Sequence, residues 1–255
     1  MELVKLPPRL ALIADLVPDG ARLVDVGTDH GLVPIRLLQE GRIRSAVASD
    51  IRSGPLSRAK ANAAAHDVES IRFVLCDGLT DISPDEADTI VIAGMGGETI
   101  AAILEAAPWS QKGRTLILQP MSRPEILREA LRKMSLRIEI ERLVEDSGKI
   151  YTVMLAQSGE PRALSEAEMY IGPYAMLAEQ ELFLPFLRQW EQKTQFAIQG
   201  LKRSSKPEDE KRLIHLKTVY EQLRQMRERG ESYAVRCGDR GVSGKTDTAC
   251  PERGL

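Results

Sequence analysis

The fold is decided by one stretch near the N-terminus, LVDVGTDHG at residues 23–31. Apolar residues and one acid lead into Gly27, and a helix-like run at residues 32–39 starts directly after Gly31. This order predicts a buried strand, a tight turn and a helix N-terminus. In open α/β sheets such a turn lies at the carboxyl end of the first strand, where backbone N–H groups and the positive end of the helix face a ligand. Gly27 and Gly31 let the backbone turn sharply and let a ligand approach closely.

The glycine spacing narrows the choice of ligand. The chain has G-x-x-x-G, whereas dinucleotide enzymes carry G-x-G-x-x-G, so a nucleotide-dependent oxidoreductase is a weak interpretation. A glycine-rich turn that binds nothing is the structural alternative, and the turn alone does not separate the two.

Acidic residues follow the next two predicted strands. Residues 45–49 are followed by Asp50, 23 residues after the first glycine of the turn, and residues 71–76 are followed by Asp77. A carboxylate roughly 20 residues past the turn is placed to accept the hydroxyls of a ribose. An acid at the end of the third strand is placed to meet an adenine amine. These strand ends predict one edge of an adenosyl pocket.

The fourth predicted strand carries the most specific motif, IAGMGGETI at residues 92–100. Methyltransferases that act on exocyclic amines commonly carry Asn or Asp, then Pro-Pro and an aromatic residue there. The small residues of this chain leave room for a base and expose backbone groups to it. Met95 is a candidate soft lining for the ring, and core packing is its alternative role.

Together, the stretches DVGTDHG, ASDI, CDG, IAGMGGETI and LQP resemble the bacterial tRNA adenine-N1 methyltransferases, a family that modifies adenine 22 in the D-arm. The resemblance runs from about residue 6 through the 220s. It implies S-adenosyl-L-methionine as the cofactor and tRNA as the partner. A methyltransferase for another RNA, a small molecule or a protein is the alternative, as is a catalytically silent RNA-binding module.

The order of the predicted elements is typical of an α/β protein. Helices alternate with apolar strands, and two strands at residues 136–143 and 150–157 close the series as a hairpin. This pattern predicts a Rossmann-like doubly wound sheet of about seven strands with an antiparallel edge hairpin. We expect residues 1–160 to form the cofactor-binding methyltransferase domain.

The strand-end pattern and the resemblance give a set of candidate site residues. The cofactor-binding candidates are Asp25, Gly27, Thr28, Asp29, His30, Gly31, Asp50, Ile51, Asp77, Gly78, Ala93 and Gly94. The catalytic candidates are Asp29, His30 and Met95. The substrate-binding candidates are Arg9, Gly96, Gly97, Tyr151, Lys202, Arg203 and Lys206.

The chemistry of adenine N1 indicates what a carboxylate in the active site would do. N1 has its own lone pair, so the enzyme needs no covalent nucleophile, but a paired adenine must first leave its helix. The methylated ring is cationic, and a nearby carboxylate stabilises that charge and can accept an amine proton. Asp29 is the candidate for this role and His30 its neighbour; a helix N-cap is the alternative for Asp29.

The C-terminal third of the chain changes to a helical pattern. Residues 161–229 predict a helical hairpin, similar to a short coiled coil, that binds tRNA. Residues 188–229 carry 11 Lys and Arg against 6 Asp and Glu, a surplus of +5. The functional interpretation of this surplus is contact with phosphates, and the alternative is a solvated helix face. Residues 230–255 lack a periodic apolar face and predict a disordered tail.

Composition excludes several other classes of protein. The 255 residues are 43% apolar and 28% charged, with no apolar run long enough for a membrane span and no signal sequence. Three cysteines, at positions 76, 237 and 250, are too few and too scattered for a disulfide framework or a zinc site. We therefore expect a cytoplasmic protein, a monomer, with no metal.

Overall fold

The computed structural model describes residues 3–204 and 206–238. The described residues fall into two compact units, which divide between Phe186 and Leu187. The first unit holds the sheet and the helices around it, and the second is helical.

The first unit is built on seven strands. They are β1 (Ala21–Val26), β2 (Ile43–Asp50), β3 (Ile71–Leu75), β4 (Thr89–Gly96), β5 (Thr115–Ser122), β6 (Leu136–Asp146) and β7 (Lys149–Ser158). The sheet has the order β3-β2-β1-β4-β5-β7-β6. The first five strands are parallel, and β7 pairs antiparallel with both β5 and β6. The predicted doubly wound sheet with an antiparallel edge hairpin is therefore confirmed.

Seven helices of the first unit flank this sheet. They are α1 (Pro8–Leu16), α2 (Leu32–Gln39), α3 (Ser53–Ala65), α4 (Gly97–Ala106), α5 (Pro124–Lys133), α6 (Glu166–Ile171) and α7 (Tyr174–Leu177), with 3₁₀ turns at Pro84–Glu86 and Pro108–Gln111. Apolar residues are buried on both faces of the sheet. In β1, Val24 packs into the core on one face and Leu23 into the core on the other. Burial on both faces is why the parallel strands read as continuous apolar runs.

The position of β1 at the centre of the sheet creates the cleft described below. The chain moves outward from β1 to β2 and β3, and then returns to the opposite side of β1 to form β4. The loops after β1 and β4 therefore lead away to opposite faces and leave a crevice between them. Gly27 and Gly31 both have positive φ angles, +74° and +64°, which explains why glycine occupies each end of the β1 turn.

The second unit is an antiparallel pair of helices. Helix α8 (Phe183–Leu201) begins just before the division between the units, and α9 (Pro207–Gly238) returns beside it. Arg227 Nε lies 2.9 Å from Glu191 Oε1, and Arg188 Nη2 lies 3.0 Å from Glu231 Oε1, so the two helices are joined by ion pairs in antiparallel order. Leu223 and Val219 are buried in the seam. The predicted helical hairpin is therefore present.

The boundary between the units lies further along the chain than the predicted one at residue 160. The Ser-Gly-Glu-Pro sequence at residues 158–161 has the composition of a linker, but the chain after it returns to the first unit. Arg128 on α5 donates 2.7 Å to the carbonyl of Met169 and forms a fully buried ion pair with Glu141 on β6. A Cβ on Gly172 would lie 2.6 Å from the Glu141 carboxylate, so this glycine is needed between α6, which packs on α5, and α7, which packs on β6.

The predicted tail also needs correction. We expected regular structure to fail at Gly230, but α9 continues to Gly238. A single glycine lowers the stability of a helix without ending it, and that is the physical reason for the error. Residues 239–255, the rest of the predicted tail, lie outside the described residues.

Neither a membrane-spanning helix nor a metal cluster is present among the residues that the structure describes. In that part of the chain, no helix combines the length and the apolar character that crossing a membrane requires. The same residues contain no group of three or more His, Cys, Asp or Glu side chains that could hold a metal ion. Cys76 is a free thiol buried in the core.

Candidate active site

A cleft of about 600 Å³ opens at the carboxyl ends of β1, β2, β3 and β4. The predicted cofactor residues that line it are Asp25, Gly27, Thr28, Asp29, His30, Asp50, Ile51, Asp77, Gly78, Ala93 and Gly94. Met95 and Arg9 line it as well. Four loops that are far apart in sequence therefore converge on one cavity, which is the arrangement that the strand-end pattern predicts.

The turn after β1 presents a side chain to the cleft where we expected backbone amides. The N–H groups of Gly27 and Thr28 both donate to the carbonyl of Ser49, at 2.8 and 3.0 Å, and so tie the end of β1 to the end of β2. The hydroxyl of Thr28 is buried and has no hydrogen-bond partner among the described residues. Leaving a buried hydroxyl unpaired is costly, so Thr28 Oγ1 is suited to a polar group of a bound ligand.

Gly27 has a second reason to be glycine besides its φ angle. A Cβ at this position would lie 2.1 Å from Cε of Met95, which extends from the end of β4 across the β1 turn. Met95 also packs against the core cluster beneath the cleft. The core-packing role is therefore observed, and the same half-buried thioether forms part of the cleft wall. Contact of Met95 with a base ring stays a prediction.

Asp25 is the buried acid of the cleft. Its side chain is enclosed on β1, and burial raises the pKa of this carboxyl to about 6. The nearby Thr28 hydroxyl holds the pKa back to some extent, although it does not form a hydrogen bond of good geometry. A cation placed next to Asp25 would restore its ionised form, because an opposite charge offsets the cost of desolvation.

Asp50 and Asp77 end the next two strands at different depths. Asp50 is buried, and its Oδ1 accepts the backbone N–H of Arg52 at 2.8 Å. The backbone bond fixes the direction of this carboxylate toward the cleft. Asp77 is exposed at the rim, beside Gly78, whose carbonyl accepts the Ser49 hydroxyl at 3.2 Å. Ile51, next to Asp50, leaves 64% of its surface exposed at the cleft wall.

Asp29 is held by an ion pair at the mouth of the cleft. Arg58 on α3 donates to Asp29 Oδ1 through Nη2 and through Nε, the latter at 3.1 Å. These hydrogen bonds lower the pKa of the Asp29 carboxyl. His30 Nε2 lies 3.5 Å from the other carboxylate oxygen. The alternative role of Asp29 as helix N-cap is not observed, because Gly31 is the N-cap of α2 and no side chain caps that helix.

A buried glutamine, absent from the predicted set, organises the other wall. Gln119 on β5 is fully buried, and its Oε1 accepts both Arg9 Nη1 at 2.7 Å and the N–H of Gly94 at 3.2 Å. The guanidinium of Arg9 also stacks 5.7 Å from the ring of Tyr151 and lies 3.8 Å from Asp146. The structure therefore brings Arg9 and Tyr151 together. The LQP stretch marked this strand end, but no sequence pattern indicated that Gln119 reaches Arg9.

Three predicted glycines do not line the cleft. A Cβ on Gly97 would lie 2.2 Å from the carbonyl oxygen of Arg123, so this glycine permits close packing of two loops. The expectation that Gly97 leaves room for a base therefore needs correction. Gly96 lies beside Ser122, and Gly31 packs on Ala59 of α3. The basic candidates Lys202, Arg203 and Lys206 are exposed at the turn between α8 and α9, in the second unit.

Comparison with known proteins identifies the relatives of this chain. A methyltransferase-domain family model matches residues 6–154. The chain is 34% identical over 232 residues to the tRNA (adenine(22)-N(1))-methyltransferase of Bacillus subtilis (strain 168), and the match covers 88% of each protein. Among solved structures, the B. subtilis m1A22 tRNA methyltransferase TrmK matches with a TM-score of 0.79 and 32% identity, over 88% of this chain and 99% of that one.

A second solved structure contains the cofactor. A putative tRNA (m1A22) methyltransferase of Streptococcus pneumoniae in complex with S-adenosyl-L-methionine matches with a TM-score of 0.72 and 33% identity, over 83% of this chain and 98% of that one. These matches extend well beyond the sheet, because they cover most of the length of both chains.

Proposed function

Because this chain belongs to the bacterial tRNA (adenine-N1)-methyltransferase family, we propose a division of roles within its cleft for the reaction of that family. The protein transfers a methyl group from S-adenosyl-L-methionine to N1 of adenine 22 in tRNA. The observation that supports this assignment most directly is the convergence of the ends of β1 to β4 on one cleft.

The residues of the cleft fit the chemistry of the cofactor. Asp50 accepts the ribose hydroxyls, because its carboxylate is oriented by the Arg52 N–H and faces the cleft. Asp77 at the rim accepts the adenine amine, and Ile51 offers apolar surface to the adenine ring. Thr28 and Asp25 bind the polar methionine end, where a cationic ammonium offsets the burial of Asp25. An unpaired buried hydroxyl at Thr28 is the specific feature that a ligand would complete.

Asp29 stabilises the product charge in this proposal. The cofactor supplies an electrophilic methyl group; a bond forms from adenine N1 to the methyl carbon as the bond from carbon to sulfur breaks, with its electron pair passing to sulfur. The adenine ring becomes cationic, and an ionised carboxylate at the cleft mouth lowers the energy of that charge. The lowered pKa of Asp29 keeps the carboxylate ionised and makes it a poor proton acceptor. For Asp29, electrostatic stabilisation is therefore better supported than a role as general base.

Other residues position the base and the tRNA. Met95 and His30 border the space next to Asp29, and we assign them to contact with the adenine ring. Arg9, fixed by Gln119 and stacked on Tyr151, contributes a positive group at the rim for the tRNA backbone. The basic turn of the second unit binds phosphates further along the tRNA. The protein acts as a monomer in the cytoplasm in this proposal.

The activity is tested with purified protein, an unmodified tRNA transcript and cofactor labelled in the methyl group. We expect 1-methyladenosine at adenine 22 after nuclease digestion, and no label in a transcript with guanine at that position. Labelling that persists in the guanine transcript would contradict the assignment of the target, and absence of 1-methyladenosine from both would contradict the reaction.

A matched pair of variants tests the cofactor site. Asp50→Ala removes the carboxylate at the end of β2, and calorimetry should show cofactor affinity reduced by about 100-fold or more. Asp81→Ala changes an exposed acid that does not line the cleft, and its affinity should equal that of the wild type. Equal affinities in both variants would place the cofactor elsewhere.

A further inference from the structure

The second unit exposes an aromatic ring that its own packing does not use. Phe196 on α8 has 79% of its surface exposed, although its neighbours Thr194 and Ile198 are buried in the helical seam. Leaving a large aromatic side chain in water forgoes the stabilisation that its burial would give. A ring presented in this way marks a contact surface when the surrounding residues suit a particular partner.

The residues around Phe196 form a surface on one side of α8 that contains no acidic side chain. At helical spacing from Phe196, its neighbours on the same face are Gln192, Lys193, Gln199 and Gly200, all exposed, and we call these five residues the Phe196 face. In the described part of the chain, the amides of Gln192 and Gln199 have no hydrogen-bond partner. A Cβ on Gly200 would meet nothing within 4 Å, so packing does not require glycine at this position. Because Gly200 has no side chain, it leaves the Phe196 ring accessible.

The charge of this segment suits a polyanion. Residues 192–207 contain no Asp or Glu, and they contain four basic residues, Lys193, Lys202, Arg203 and Lys206. Three acids, at residues 208–210, follow in the first turn of α9, so the positive charge is concentrated on α8 and the turn that follows it. The Lys193 ammonium lies 4.2 Å from the centroid of the Trp190 ring, one turn before Phe196. The nearest preceding acid, Glu191, is paired with Arg227. An exposed ring, unpaired amides and positive charge on one helix are the elements of surfaces that bind unpaired nucleotides.

We propose that the Phe196 face binds tRNA, with the Phe196 ring stacked on one unpaired base. Gln192 and Gln199 donate to the base edges or the ribose, and Lys193 and the basic turn pair with the adjoining phosphates. Stacking tolerates any base because each base has a flat π-face, so the contact supplies affinity without reading sequence. A second copy of this chain is a poorer occupant, because two such faces would bring like charges together. The proposal rests on the proposed tRNA methyltransferase function.

Three substitutions at exposed positions test the proposal in the full-length protein. Phe196→Leu keeps an apolar side chain but removes the ring, Phe196→Tyr keeps the ring, and Ile214→Ala changes the other large exposed apolar residue described in the second unit. At about 0.15 M salt we expect the Kd and KM for tRNA to rise roughly tenfold in Phe196→Leu. The Tyr variant and the Ile214 variant should match the wild type, and cofactor affinity should be unchanged in all three.

Salt dependence separates stacking from charge. Phe196→Leu should weaken tRNA binding by the same factor at every salt concentration, whereas Lys193→Gln should reduce the slope of log Kd against log salt. A Kd for tRNA that is equal in Phe196→Leu and wild type would overturn the inference, as would a wild-type dimer in sedimentation that Phe196→Leu dissociates. Wild-type protein that binds tRNA through Phe196 but does not methylate adenine 22 would support this surface while removing the proposed function.

Discussion

The cleft of the first unit and the hairpin of the second place their charges in opposite surroundings. In the cleft, Asp25 and Asp50 are at least nine-tenths buried. An ionised carboxylate there has a large desolvation cost, which a bound ligand must offset. The hairpin turn exposes Lys202, Arg203 and Lys206 to solvent, where a charge has little desolvation cost and acts additively on a polyanion. From this difference we expect the cofactor site to depend on individual residues and the affinity for tRNA to be spread over many.

The largest effect expected from this contrast is at Asp25. Its pKa in the folded protein is raised to about 6 from 3.8, so folding favours the protonated carboxyl. The stability that this group contributes is fully present below pH 3.8 and is lost as the pH rises through about 6. Asp25→Asn imitates the protonated form and should raise the free energy of unfolding at pH 7 by up to about 3 kcal/mol. Cofactor affinity should fall about 100-fold, because the buried negative charge is lost.

Denaturant unfolding and calorimetry between pH 4 and 8 measure the two effects on the same samples. The gain in stability of Asp25→Asn over the wild type should shrink as the pH falls from about 6 to about 4. Wild-type cofactor affinity should fall about fivefold between pH 6 and 5 as Asp25 takes up a proton. Asp81→Asn, at an exposed position, should show neither change. A variant that loses both stability and affinity would indicate that Asp25 is needed for the fold.

The next effect in size concerns the basic turn. Lys202→Gln, Arg203→Gln and Lys206→Gln combined should raise the KM for tRNA by about tenfold or more at 0.15 M salt, and lower the salt slope by about 2. Cofactor affinity should be unchanged. The control replaces three exposed lysines of the first unit that do not line the cleft, Lys60, Lys112 and Lys133, with Gln. If both triple variants change the KM equally, the hairpin has no special part in tRNA binding.

The features of the cleft and the hairpin that could be predicted from the sequence are those that depend on local pattern. Apolar runs and a glycine turn predict β1, and an acid at the end of each following strand predicts Asp50 and Asp77 at one edge, because parallel strands end together. The family resemblance was carried by the same strand ends and is confirmed by the relatives. The hairpin follows from helical periodicity.

Contacts between distant elements could not be predicted in this way. Gln119 meets Arg9 across 110 positions, and Gly97 is glycine because of the Arg123 carbonyl on the next loop. Neither contact leaves a periodic signal. The unit boundary was misplaced for the same reason, since a linker-like sequence is followed by helices that the buried Arg128 and Glu141 pair holds to the first unit.

The smallest effect, and the sharpest test of the contrast, is at Arg58. Asp29 lies four residues after Asp25 but is more than half exposed, and its pKa is lowered by Arg58. A lowered pKa contributes stability only above the ordinary value, near 4, and that contribution is lost as the pH falls further. Because exposed ion pairs contribute little, Arg58→Gln should leave the free energy of unfolding within about 1 kcal/mol of the wild type. It should nevertheless lower kcat roughly 3- to 10-fold, because the Asp29 carboxylate is no longer held in place at the cleft mouth.

The kinetic signature distinguishes positioning from a structural role. The KM values for tRNA and cofactor should stay the same in Arg58→Gln, and the acid limb of kcat should move to higher pH because the pKa of Asp29 returns toward its ordinary value. Arg58→Lys keeps a positive charge without the two-nitrogen contact and should recover part of kcat. An unchanged kcat and an unchanged acid limb would mean that Asp29 needs no partner to act. Asp25 and Asp29 would then differ in burial alone, with the Arg58 ion pair irrelevant to the reaction.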